Sequence, residues 1–194
     1  GPPPTEAFSD RCIGTEGAYV DDWRARVDHP ASLRLYQQRG GTGSRPPPSA
    51  EVKDIDAGVV EEEPEWRVVA QRAHHVEPSL ISLIYRIETA EGVIAFTGDA
   101  GPCDELCQIA EGTDTLVICC VDSSNPAPEV ADVVTRAADV ADIAAKTGVS
   151  SVFLTHMNPG MWKPGRMEKT IADVASGYDG KIVFASEITS YPLP

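Results

Sequence analysis

No apolar run in the chain reaches the ~18 residues that a membrane span needs, so the sequence predicts no transmembrane helix. Basic residues are scarce. Against 30 Asp and Glu stand 16 Lys and Arg, a formal charge of −14 over 194 residues. The acidity is spread over both halves, and a field of that sign repels phosphate backbones, which makes nucleic acid an unfavourable partner. There is no internal repeat and no basic-then-apolar leader. Cysteine is sparse and odd in number (five), and the adjacent Cys119 and Cys120 pair poorly with each other. A disulfide scaffold is therefore not expected, and a reducing, cytoplasmic setting is. The chain opens Gly1-Pro2-Pro3-Pro4 without a Met. This leads us to expect a start that has been cut away, or a fragment.

What is present divides near residue 65. Residues 1–64 hold half of the 16 prolines and the run GGTGSRPPP at 40–48, which reads as a surface linker. This part is expected to be loops around short helices, at 17–27 and 33–38. Glu61-Glu62-Glu63 reads as a solvated turn. From 65 to 194 strands and helices alternate. Strands are predicted at 66–70, 80–88, 92–97, 115–120, 151–155 and 181–185 from apolar, β-branched runs bounded by turn residues. Glu91-Gly92 suits a hairpin. Helices are predicted at 103–110, 129–146 and 167–176. The second shows Val130, Val133, Val134, Ala137, Val140, Ala141 and Ala144 at helical spacing, with Gly148 placed to end it. The order implies a layered α/β fold.

Three strand ends carry residues that could do chemistry: His74-His75, Gly98-Asp99 and Thr155-His156. Strand ends are where α/β folds place sites. Two imidazoles and a carboxylate converging there form a zinc-type donor set. Cys103, Cys107, Cys119 and Cys120 lack the spacing of zinc hooks and read as small buried hydrophobes, with Cys120 or Asp122 near the pocket. Trp162 follows His156 closely, in a Pro/Gly loop, and could wall a substrate pocket.

The segments HVEPSLISLIYRIE from His75, AFTGDAGP at 95–102 and FLTH at 153–156 together resemble the metallo-β-lactamase fold superfamily, nearest its RNase Z-like branch. The resemblance implies an αββα sandwich and a dinuclear site, with zinc expected and Mn²⁺ or Fe²⁺ as alternatives. It implies that His75 binds the first metal, Asp99 bridges the two ions as the catalytic carboxylate, and His156 binds the second metal. His74 competes with His75, which is preferred because Val-Glu-Pro follows it. The resemblance further implies a hydrolase whose nucleophile is a metal-bound hydroxide.

Two departures qualify this. The His-x-His-x-Asp-His block of the superfamily is absent, since the four histidines are His29, His74, His75 and His156. The N-terminal part of the fold is therefore expected to be missing, with the block on a companion chain or N-terminal fragment. Where RNase Z-type enzymes carry His-Glu-Ala-Thr, this chain has VICCVD at 117–122, and Val133-Val134-Thr135 stands where a partner His belongs. Those differences and the acidity point to a small ester, lactone or amide as substrate. The rival readings are a non-catalytic subunit that has lost its metals and an RNase Z-like phosphodiesterase. A homo-oligomer is compatible with either.

Overall fold

The computed structural model describes residues 34, 36–43, 54–76, 81–121, 132–186 and 189–191. The predicted helix at 17–27, and Cys12, His29 and Asp122, lie outside the described residues. The chain divides into two units, Gly1–Asp54 and Ile55–Pro194. In the first, Arg34 and residues 36–38 are helical. That turn closes with Gly41 N–H donating to the Tyr36 carbonyl at 3.1 Å.

The second unit is built on one seven-stranded sheet. Its strands are β1 Gly58–Glu63, β2 Trp66–Ala73, β3 Ser82–Thr89, β4 Gly92–Phe96, β5 Thr115–Cys119, β6 Ser151–Thr155 and β7 Lys181–Phe184. Helices α1 Asp104–Ala110, α2 Ala137–Thr147 and α3 Arg166–Ala175 link the last four strands. Spatial order follows chain order: β1 to β4 are antiparallel and β4 to β7 parallel. Right-handed crossovers that always step the same way put all their helices on one face of a sheet. The apolar residues beneath that layer, among them Ile84, Leu116, Ile118, Val152 and Leu154, are fully buried. The second unit thus supplies a sheet and one helical layer of the expected αββα sandwich.

Topology also places the site. β2 and β4 are each antiparallel to β3, so they run the same way as each other and as β5 and β6. All four end on one edge of the sheet. His75 follows β2, Asp99 follows β4 and His156 follows β6.

Two expectations are corrected. Glu61–Glu63 is not a turn but the end of edge strand β1. β1 has one neighbour and mostly exposed residues, so it lacks the apolar run that marks buried strands. Helix α2 starts at Ala137, not at 129, and residues 132–136 are non-helical. Arg136 is the N-cap and donates to the Asp139 carboxylate from its backbone N–H and its guanidinium, while Thr135 is fully buried and donates to the Ala100 carbonyl at 2.6 Å. The valines at 133 and 134 are half-buried although they lie outside the helix.

Candidate metal centre

β4 gains one more rung beyond Phe96, because Thr97 N–H donates to the Val117 carbonyl at 3.0 Å. The buried Thr97 hydroxyl accepts from Cys119 N–H at 3.2 Å and donates to the Gly98 carbonyl at 3.1 Å. Gly98 then turns the chain at φ 55, a left-handed conformation glycine adopts without steric cost. This presents Asp99 at the sheet edge. The loop is held on both sides: Gly101 N–H donates to the His74 carbonyl at 2.8 Å, and Thr135 binds Ala100 as above. A Cβ on Gly101 would stand 2.1 Å from the Asp132 carbonyl oxygen, so only glycine fits that crossing.

His75 Nδ1 lies 2.8 Å from the Val133 carbonyl oxygen. A carbonyl only accepts, so Nδ1 carries the proton in the neutral ring and Nε2 keeps its lone pair. Nε2 faces Asp99 Oδ2 at 3.8 Å. On the other side, His156 Nδ1 faces Asp99 Oδ1 at 3.3 Å. Each imidazole therefore addresses its own carboxylate oxygen. His156 has φ 54, the one non-glycine among the described residues in the left-handed region. Such a conformation costs on the order of 1–3 kcal/mol and persists where the surroundings impose it. Here β6 imposes it, through Cys120 N–H to the Thr155 carbonyl at 3.0 Å and Thr155 Oγ1 to the Ile118 carbonyl at 3.2 Å. His75, Asp99 and His156 side chains are 22%, 43% and 57% exposed, so the edge is open to a small molecule.

The donor chemistry fits a divalent ion. Nitrogen and oxygen ligands sharing a tetrahedral ion at ~2.0–2.1 Å stand about 3.3 Å apart. The His156–Asp99 spacing matches this, and the His75–Asp99 spacing exceeds a hydrogen bond. A backbone carbonyl on the far nitrogen of a ligating imidazole is the usual means of fixing its tautomer. Among the described residues, no group of three or more His, Cys, Asp or Glu is arranged to hold an ion by itself.

Trp162 borders the same edge. With Thr155, His156, Met157, Ala185 and Ser186 it lines a cavity of about 700 Å³. Cys119 and Cys120 are fully buried free thiols, and Cys103 and Cys107 are half-buried. Burial pushes the Cys119 thiol up to about 11 and the Cys120 thiol to about 12. Neither is a nucleophile at neutral pH. The Val133 carbonyl is the contact that sequence reasoning missed, because a main-chain acceptor carries no residue signature.

The solved structures share this architecture. A metallo-β-lactamase fold protein, YhfI from Bacillus subtilis, superposes with TM-score 0.58 at 15% identity, covering 81% of this chain and 60% of its own. Human tRNase Z, short form, superposes with TM-score 0.52 at 15% identity, covering 70% and 45%. The chain has the metallo-β-lactamase fold. In sequence it is similar to ribonuclease Z of Mycobacterium tuberculosis, 28% identical over 202 residues, 97% of this chain and 66% of that protein. No protein-family model matches. The chain spans just under two thirds of that ribonuclease Z and less of the two solved structures. No helix among the described residues is long and apolar enough to cross a membrane.

Proposed function

We propose that the chain is the larger part of a metal-dependent hydrolase, with His75, Asp99 and His156 as metal ligands. The observation that carries this reading is the placement of Asp99 between two imidazoles, one at each oxygen. That placement suits a carboxylate shared by two ions, zinc being the ion its donor types favour. A bound pair of such ions supplies Lewis acidity and lowers the pKa of a coordinated water toward neutrality. The chain's own residues do the rest. Val133 sets the His75 tautomer, the clamped loop 97–101 aims Asp99, and β6 aims His156. The remaining ligands come from a segment outside these residues, on the same polypeptide or a companion.

The substrate we propose is a small ester, lactone or amide. The chain's −14 charge disfavours a polyanion, and the described residues that line the cavity beside His156 include no Lys or Arg. A second reading, a phosphodiester substrate, is favoured by the likeness to ribonuclease Z. The test is turnover of a carboxylic ester, a lactone, an amide and bis(p-nitrophenyl) phosphate, with metal content measured in parallel. Hydrolysis of one of the first three that chelation removes and zinc restores is the expected result. Turnover of the phosphodiester alone selects the second reading. A metal-free protein with no turnover leaves the non-catalytic subunit.

A further inference from the structure

We propose that the cavity beside His156 receives a planar, uncharged ring of the substrate, stacked on Trp162. The proposal rests on the hydrolase reading for the scissile group that this ring would carry to the metals. Among the described residues the lining offers no Lys, Arg, Asp or Glu. A charged group entering it would lose water without gaining a counter-charge, whereas an uncharged ring would not. The volume, about 700 Å³, suits a small molecule.

Trp162 is 65% exposed, yet the turn that bears it is fixed. Its neighbour Met161 is fully buried, and the Met161 sulfur accepts from the Thr170 hydroxyl at 3.5 Å. The 3₁₀ turn Pro159–Trp162 has proline at its start. Met161 N–H to the Asn158 carbonyl at 3.0 Å and Lys163 N–H to the Gly160 carbonyl at 3.3 Å close it. The other wall is equally fixed. Ala185 N–H donates to the Leu154 carbonyl at 3.1 Å, and Ser186 N–H donates to the Tyr191 hydroxyl at 3.1 Å. The Tyr191 ring packs edge-on against Phe153, centroids 5.1 Å apart. Walls set in place before a ligand arrives reduce the ordering cost of binding. An indole held out of the core is an aromatic platform, and aromatic partners gain from stacking beyond the area they cover. A saturated ring of equal size gains only the area.

Acetophenone and cyclohexyl methyl ketone separate these effects. They match in size, and neither can be hydrolysed, so binding is read without turnover. Each is titrated into the full ¹⁵N-labelled chain while the Trp162 indole N–H resonance, assigned by its loss in Trp162→Phe, is followed. The expected result is a shift of that resonance and a Kd about 5-fold lower for acetophenone. Trp162→Phe should keep part of the preference and Trp162→Ala none. Equal affinities, a preference that survives in Trp162→Ala, or a Trp162 resonance that neither ketone moves would overturn the proposal. Failure of the hydrolase reading looks different, with no ester turnover but an intact ketone preference.

Discussion

The His75 ring is held by the main chain of Val133, with Nδ1 2.8 Å from the carbonyl oxygen. This joins the end of β2 to the segment that precedes α2 and leaves the Nε2 lone pair free on the side of Asp99. The neutral ring should therefore be the tautomer protonated at Nδ1. Long-range ¹H–¹⁵N correlation of the His75 side chain reads this directly. A proton on Nε2 instead would remove His75 as an Nε2 ligand.

Gly101 makes a second local claim. Its Cβ position is occupied by the Asp132 carbonyl oxygen, a backbone atom that cannot rotate away. Gly101→Ala should cost at least ~2 kcal/mol in urea unfolding, as overpacking against backbone does. Because Gly101 N–H also binds the His74 carbonyl, the variant should lose metal affinity as well. A fully stable Gly101→Ala would show that the two segments cross with room to spare.

The backbone of His156 gives a comparison between two variants that both lack the imidazole. At φ 54 an L-residue is strained by roughly 1–2 kcal/mol and glycine is not. His156→Gly should therefore unfold at higher urea concentration than His156→Ala. If alanine is the more stable, the left-handed turn is absent.

Much of this was legible in the sequence. β2 to β7 are apolar runs cut off by turn residues, and the site residues are polar groups set just past such runs. β1 was hidden because its outward positions are Glu61, Glu62 and Glu63, and an edge strand with one neighbour needs no apolar face. The start of α2 was misread because Val133 and Val134 continue the helical spacing by coincidence. The segment that carries them is instead tied by Val133 to His75 and by Thr135 to Ala100. The conformation of His156 left no trace either, since histidine has no preference for it.

Alkaline stability depends on the buried thiols. Burial first, and neighbouring negative charge after it, raise Cys119 and Cys120 from 9.0 to about 11 and about 12. For an acid whose folded pKa is raised, the unfolded chain binds fewer protons above 9, so stability is intact below pH 9 and falls as pH rises toward 11–12. Thermal unfolding from pH 8 to 11 should show that fall, and Cys119→Ala should flatten part of it. At pH 8 the native protein should leave both thiols unreacted with iodoacetamide.

The most direct test of the central claim is the metal content of the protein purified from its own host, wild type beside Asp99→Ala. The expected result is two divalent ions per wild-type chain, at most one in the variant, and a turnover loss of at least ~10³-fold. An Asp99→Ala protein that keeps both ions and full activity would contradict it.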